Sequence, residues 1–203
     1  MPGSITHLKA AYLYIDGSSE EPSEFYLGSV SPDSVNLKGH AEKAIRWPAH
    51  LRDRDLNVWL SNAEAFWKQS RDTVVNLSFL KGYLFHIITD IVWDTYFEGE
   101  LFELFDAVGI PTERRKAMRW AELDGYEEPQ ARLPWFTETV LPALSVAKPE
   151  SVGTLKRVEV ALWRDRIVYE RVEKGGRSRF INEAFMNRFF NKVSETADSV
   201  FGI

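Results

Sequence analysis

The stretch YLFHIITDIVWD, residues 83–94, places His86 and Asp90 inside a run that is otherwise almost entirely apolar. Apolar side chains continue on both sides of this stretch and occupy every face of a helical projection, as is typical of a helix buried at the centre of a fold. The sequence therefore predicts a central core helix over about residues 73–97, with Asp72 as its N-terminal cap.

The rest of the chain also has helical spacing, and strand-like alternation with turn dipeptides is scarce. We predict an all-α fold, a multi-helix bundle around the central helix. It forms one domain over residues 1–203, with a metal-site half at about 1–110 and a helical C-terminal half at about 111–203. The other predicted helices start near Ser4 and cover about 56–69, 97–108, 112–123, 151–173 and 179–200; the predicted irregular segments and turns are 35–55, 123–135 and 174–178.

The composition excludes several classes of protein. The 203 residues include no Cys, so disulfide scaffolds, thiolate zinc sites and Cys nucleophiles are ruled out. A net charge of −5 gives no general attraction for nucleic acid, and none is expected as a partner. The N-terminal residues lack a secretory pattern, and no run of about 18 apolar residues predicts a transmembrane segment. We therefore expect a cytoplasmic protein.

His86 and Asp90 are four residues apart, so their side chains lie on one helical face, one turn apart. Such a pair can ligate one metal ion, or it can form a polar pair in the core without a metal. A buried carboxylate without a partner is costly, so Asp90 needs a proton, a cation or several hydrogen-bond donors. Both interpretations satisfy this requirement.

The remaining candidate residues precede this helix. The chain has four histidines, and His7, His40 and His50 all come before His86. Asp33 follows Pro32, where a carboxylate is either a ligand or the start of an Asx turn or helix cap. A histidine in a loop is often exposed and inert, so these residues indicate a site only in combination.

The order of these groups is the specific feature. The motifs are ITHL at 5–8, FYLGSVSPD at 25–33, AHLRDRD at 49–55 and FLKGYLFHIITDIVW at 79–93. Together they resemble the bacterial zinc-dependent phospholipase C family, which is related to the zinc-dependent single-strand nucleases. The resemblance covers about residues 1–97.

The resemblance implies an all-α hydrolase of phosphoester or phosphodiester bonds that uses a metal-activated water. It implies a main metal site of Asp33, His50, His86 and Asp90, with Asp33 also assisting as the catalytic base. It further implies a second ion at His7, with Asp90 bridging the two. The substrate would be a small-molecule or lipid phosphoester.

Two points adjust these expectations. No histidine follows His86, whereas family members with three metals carry further histidines there, so we expect one or two zinc ions. Of the two loop histidines, His50 is preferred to His40, because a histidine followed by polar residues and a helix is the family's arrangement. Arg52 and Arg54 are candidates for binding the substrate phosphate, although a solvated mixed-charge turn is the favoured explanation of them.

Two alternative functions stay open. One is a non-catalytic helical protein that keeps a structural metal or only the His–Asp pair and acts as a binding or scaffold module. The other is peripheral membrane contact through the Phe-rich C-terminal helix, with Phe180, Phe185, Phe189 and Phe190. Packing within the bundle is the favoured explanation of those phenylalanines.

Overall fold

The all-α prediction is confirmed. A computed structural model describes residues 2–16, 18, 20–170 and 176–202, and within these ranges there is no strand, only an isolated bridge between Val152 and Leu155. A 3₁₀ segment (Ser31–Asn36) and two π-helical segments (Trp93–Phe97 and Trp135–Val140) interrupt the α-helices. The α-helices are α1 (Ser4–Tyr14), α2 (Pro22–Gly28), α3 (Lys43–Ala49), α4 (Leu56–Ser70), α5 (Leu77–Val92), α6 (Glu98–Ala107), α7 (Thr112–Gln130), α8 (Leu141–Val146), α9 (Arg157–Tyr169) and α10 (Glu183–Phe201).

Helix α5 is the predicted central helix, with a later start than expected. Asn76 caps it by accepting a hydrogen bond from the backbone N–H of Phe79 at 2.8 Å, so Asp72 is not the cap. Val75, just before this cap, is 94% exposed. The helical path continues beyond Val92 through the π-helical turn 93–97, which brings Asp94 to the surface of the fold. The α-helical part therefore ends at Val92, earlier than the predicted 97, and the π-helical turn leads directly into α6 at Glu98.

Two glycines allow α2 to cross α5 at backbone contact distance. A Cβ atom on Gly82 would lie 2.2 Å from the carbonyl oxygen of Phe25, and one on Gly28 would lie 2.3 Å from that of Phe79. Neither position has room for a side chain. The close approach places the residue after α2, Ser29, directly against α5.

The C-terminal helix α10 packs into the core. Asn182 caps it, and Phe189 meets the rings of Trp93 and Phe97 edge to face, at centroid distances of 5.5 and 5.3 Å. Phe185 is buried as well. These contacts account for the phenylalanines of α10 by packing. Residues of both predicted halves, 1–110 and 111–203, contribute to one hydrophobic core.

The predicted loop at 123–135 is wrong over most of its length, because α7 continues to Gln130. Glu122 is buried and accepts backbone N–H bonds from residues 179–181, while Glu127 accepts two bonds from Thr6. A Cβ on Gly125 would lie 2.5 Å from the backbone nitrogen of Ser178. These tertiary contacts keep Gly125 helical and explain why it does not end the helix.

Other boundaries also differ from the prediction. The segment expected to be irregular, 35–55, contains α3 and the last two residues of the 3₁₀ segment. Helix α9 begins at Arg157 rather than 151, because a turn around Gly153 (φ +54°) precedes it. The predicted end of that helix at 171–173 and the first two residues of the predicted turn 174–178 lie outside the described residues. In the described part of the chain, no helix is long and apolar enough to cross a membrane.

Candidate metal centre

Helix α5 supplies two of the candidate ligands. His86 and Asp90 are fully buried, and the Nε2 atom of His86 lies 3.6 Å from Oδ2 of Asp90. The other ring nitrogen of His86, Nδ1, lies 2.8 Å from the carbonyl oxygen of Ser29. This bond assigns the ring hydrogen to Nδ1 and leaves the Nε2 lone pair directed at Asp90.

Helix α1 brings His7 to the opposite oxygen of the same carboxylate. Its Nε2 atom lies 3.5 Å from Oδ1 of Asp90, and its ring stacks on that of His86 with centroids 3.7 Å apart. The start of α1 is held by Thr6, whose N–H and hydroxyl both donate to Glu127 of α7. This contact fixes the residue adjacent to His7.

The 3₁₀ segment and the end of α3 complete the group. His50 Nε2 lies 3.5 Å from Oδ1 of Asp33 and 3.9 Å from Oδ2 of Asp90. Its Nδ1 lies 2.9 Å from the carbonyl oxygen of Arg46, so His50 is oriented in the same way as His86. We call the five side chains together the His–Asp cluster: His7, Asp33, His50, His86 and Asp90.

The cluster contains buried polar atoms without hydrogen-bond partners in the described part of the chain. These atoms are both ring nitrogens of His7, the Nε2 atoms of His50 and His86 and both carboxylate oxygens of Asp90. Two triads have ligand atoms within 4.8 Å of one another: His7, His86 and Asp90, and Asp33, His50 and His86.

The spacing of these atoms fits a metal ion. The nitrogen–oxygen separations of 3.5–3.9 Å are long for hydrogen bonds. Two ligands on a tetrahedral zinc with bonds of 2.0–2.1 Å are roughly 3.3 Å apart. A small contraction around one or two cations would therefore give a partner to the three Nε2 atoms and to both oxygens of Asp90. The donor set of imidazole and carboxylate suits zinc, and also iron or manganese.

The charges of the cluster are strongly coupled. Burial and the neighbouring His7 lower the pKa of His86 to about 3, so this ring is neutral. Burial opposes ionisation of Asp90, yet the surrounding imidazoles hold its pKa below the usual range. Burial likewise opposes charge on His50, but Asp33 and Asp90 raise its pKa above the ordinary value. A metal ion requires neutral imidazoles and ionised carboxylates, so His86 and Asp90 are already in that state, whereas a metal ion would have to displace any proton from His50.

Asp33 connects the cluster to the surface. It is 17% exposed, whereas the other four side chains are buried, and it lines a cleft of about 820 Å³. Burial opposes its ionisation, but His50 and His86 hold its pKa below the usual value. Asn36 donates a hydrogen bond to its Oδ1 atom at 3.2 Å. Asp33 is therefore an ionised group at the boundary between cluster and cleft.

The structure separates the remaining candidates. His40 is exposed and lines the cleft, away from the ligand triads, so of the two loop histidines His50 is the one in the cluster. Arg52 also lines the cleft, pairs with Asp94 at 2.6 Å and lies 4.4 Å from the ring of Trp59. Arg54 is exposed and is not among the described residues that line the cleft.

Sequence reasoning missed the groups that orient the ligands. The acceptors for His86 and His50 are the backbone carbonyls of Ser29 and Arg46, which no side-chain pattern reveals. Asp94 does have a signal, because it follows Asp90 by four residues and so shares its face of the helix. It lines the cleft, and burial together with Asp90 raises its pKa.

The chain was compared with protein-family models, with curated proteins and with solved structures, and none of them matches it.

Proposed function

We propose that the His–Asp cluster binds one or two divalent metal ions, zinc first among them, and that the protein hydrolyses a phosphoester at this site. One observation carries the proposal: five side chains from four segments of the chain converge with nitrogen and oxygen atoms 3.5–3.9 Å apart, and in all but Asp33 these atoms have no hydrogen-bond partner in the described part of the chain. Without a cation, these buried polar atoms would have no partner, at a substantial cost in the free energy of folding.

The two oxygens of Asp90 suggest how two ions would be divided. An imidazole nitrogen has one lone pair, so His86 can serve only one ion, whereas a carboxylate can bridge two. We assign Asp33, His50, His86 and Oδ2 of Asp90 to the main ion. His7 and Oδ1 of Asp90 would hold the second, with solvent or substrate as further ligands.

Bound divalent cations would supply the electrophilic chemistry: they stabilise the attacking and leaving oxygens and make water more acidic. Asp33 is placed to accept a hydrogen bond from a water or substrate in the cleft. Its lowered pKa makes it a weak base, which suits a ligand and a positioning acceptor better than a strong proton abstractor. Arg52 lines the cleft and is a candidate for binding the phosphate oxygens. Arg54 is exposed and is not among the described residues that line the cleft, so nothing supports a role for it in phosphate binding.

The closed character of the site favours a second candidate, a structural metal in a non-catalytic protein. Four protein ligands fill a tetrahedral coordination sphere, as in structural zinc sites, whereas catalytic sites keep one position open. Only Asp33 of the cluster reaches the cleft. Under this alternative the ion would stabilise the bundle without turnover.

Metal content and activity test the two candidates together. Protein purified without added zinc is analysed for transition metals and then assayed with added zinc on bis-p-nitrophenyl phosphate and p-nitrophenyl phosphate. The variant is His86→Asn, and the matched control is His40→Asn, which changes a histidine outside the cluster. We expect wild type and control to bind about one or two equivalents of metal and to hydrolyse an ester, and His86→Asn to do neither.

The outcomes separate the candidates. Less than about one-tenth of an equivalent of metal, with no gain on soaking in zinc, would exclude a metal site of either kind. Metal binding that raises the melting temperature without turnover of either ester would support the structural alternative. Equal metal content in both variants would remove His86 from the ligand set.

A further inference from the structure

The cleft beside Asp33 carries an excess of positive charge on an acidic protein. Among the described residues, six cationic side chains line it, against three carboxylates, Asp33, Asp94 and Glu98. The net charge of the whole chain is −5, so this excess is local. We call this surface the basic cleft. Its cations are Lys43, Arg46, Arg52, Lys116, Arg119 and Arg166.

Three of these cations have no carboxylate partner among the described residues. Arg52 pairs with Asp94 and Arg119 with Glu98, which accounts for two of the three carboxylates. Lys43, Arg46 and Lys116 are left without an ion pair in the parts of the chain that the structure describes. The Nε atom of Arg46 is buried and has no hydrogen-bond partner there, which makes this guanidinium a donor in need of an acceptor.

Aromatic rings hold several of these cations in place. The ammonium of Lys43 lies 5.4 Å from the ring centre of Trp47, and the guanidinium of Arg166 lies 5.5 Å from that of Trp163. Both tryptophans line the cleft. A cation against an aromatic face is held in position without being neutralised, as Lys43 is. Arg166 also pairs with Glu170, Nε to Oε2 at 3.2 Å. The rings also offer apolar surface to the organic part of a ligand.

We propose that the substrate is a small phosphoester carrying a second phosphate, which binds to Lys43, Arg46 and Lys116 while the scissile phosphate lies at Asp33. The assignment of the scissile phosphate rests on the proposed function, whereas the second-phosphate site rests on the basic cleft alone. A phosphate offers three acceptor oxygens and up to two negative charges, enough to satisfy several unpaired cations. A neutral or zwitterionic group would leave these cations uncompensated.

Calorimetric titration of metal-free protein in EDTA tests the second-phosphate site without any contribution from a metal. The probes are fructose 6-phosphate and fructose, which differ by one phosphate. We expect fructose 6-phosphate to bind at least about tenfold more tightly, since a charge-assisted hydrogen bond contributes enough for such a factor. The affinity should fall as salt is added.

The variants Arg46→Gln and Lys116→Gln should each reduce the preference for fructose 6-phosphate about tenfold. The matched control is Arg114→Gln, because Arg114 is exposed on α7, the helix of Lys116, and is not among the described lining residues. If Arg46→Gln disturbs α3, which ends next to His50, the Lys116→Gln variant on α7 still tests the proposal. Equal affinities for the two sugars, or an equal loss in the control, would overturn the proposal.

A vesicle-binding experiment tests whether the second phosphate comes from a lipid headgroup or from a free metabolite. Phosphatidylcholine vesicles with and without phosphatidylinositol 4,5-bisphosphate are sedimented with the protein in EDTA. Binding to the doped vesicles that is reversed by fructose 6-phosphate would support the second-phosphate site and identify its ligand as a lipid headgroup. Binding of soluble fructose 6-phosphate without binding to the vesicles would support the site and identify its ligand as a free metabolite. If fructose 6-phosphate binds but zinc does not, the second-phosphate site stands and the proposed function fails.

Discussion

His86 uses its two ring nitrogens for different purposes. Nδ1 is fixed by the carbonyl of Ser29, while Nε2 points at Asp90 with no hydrogen-bond partner in the described structure. His50 repeats the arrangement with the carbonyl of Arg46. A ring fixed at one nitrogen presents the lone pair of the other in a constant direction, as metal-binding histidines do. The two functions can be separated by substitution.

The variant His86→Asn keeps an N–H donor near the position of Nδ1 and removes Nε2. We expect it to weaken zinc binding by more than about 100-fold. His86→Ala removes both groups and leaves the Ser29 carbonyl unsatisfied, so metal-free His86→Ala should be less stable than His86→Asn by about 1–3 kcal/mol. Zinc titration and urea unfolding in EDTA measure the two effects. Zinc affinity of wild-type strength in His86→Asn would contradict the assigned ligand.

The crossing of α2 and α5 is the structural element on which the orientation of His86 depends. Gly82→Ala would place a methyl group 2.2 Å from the carbonyl oxygen of Phe25 and force the helices apart. We expect this variant to lose about 2–4 kcal/mol of stability. Zinc affinity should fall as well, because Ser29 moves with α2.

Gly99→Ala is the matched control for this prediction. A Cβ at Gly99 on α6 meets nothing within 4 Å, and alanine favours a helix over glycine by about 1 kcal/mol. The control should therefore be neutral or slightly stabilising in urea unfolding, with unchanged zinc affinity. Equal stability of the two variants would show that the close approach of α2 and α5 does not constrain the fold.

The helices differ in how far the sequence alone could predict them. Helix α4 was predicted at 56–69 and spans Leu56–Ser70, because its apolar residues keep one face. Helix α3 was not predicted, since Lys43, Ala44 and Ile45 are exposed and carry no helical period. Segment 135–146 was also missed; it mixes π-helical and α-helical turns, whose periods differ.

For the site, the sequence contained the ligand types but not the cleft. His86 and Asp90 were predictable because charge in an apolar helix is conspicuous and their spacing is helical. The cations Lys43, Arg46 and Lys116 come from α3 and α7 and look like ordinary solvated residues in sequence. Only the packing of these two helices brings them to one cleft beside Asp33.

Buried tyrosines connect distant parts of the whole molecule. Tyr14 of α1 donates a hydrogen bond to Asp198 of α10 at 2.9 Å, and Tyr83 of α5 donates to the carbonyl of Ala49 at 3.0 Å. Burial raises the pKa of both hydroxyls. It also raises that of Tyr26 to about 12. The native bundle therefore depends on these phenols staying neutral, which makes its stability sensitive to alkaline pH.

The alkaline sensitivity of Tyr26 can be isolated with Tyr26→Phe. The folded pKa is about 12 and the unfolded value is 10, so between these values the unfolded chain loses its proton first. Fewer protons are then bound to the unfolded state, and stability falls as pH rises through this range. Between pH 8 and pH 11, the free energy of unfolding of wild type should fall by about 1 kcal/mol more than that of Tyr26→Phe.

Urea unfolding in EDTA at pH 8 and pH 11 provides the measurement, with the metal state held constant. Tyr169→Phe is the matched control, because Tyr169 is 77% exposed. The control should lose as much stability as wild type between the two pH values, because it removes an exposed hydroxyl and keeps the buried hydroxyl of Tyr26. If wild type and Tyr26→Phe lost the same amount, the ionisation of Tyr26 would not be linked to folding. The alkaline destabilisation would then have to arise from Tyr14, Tyr83 and Tyr126, whose pKa values burial also raises.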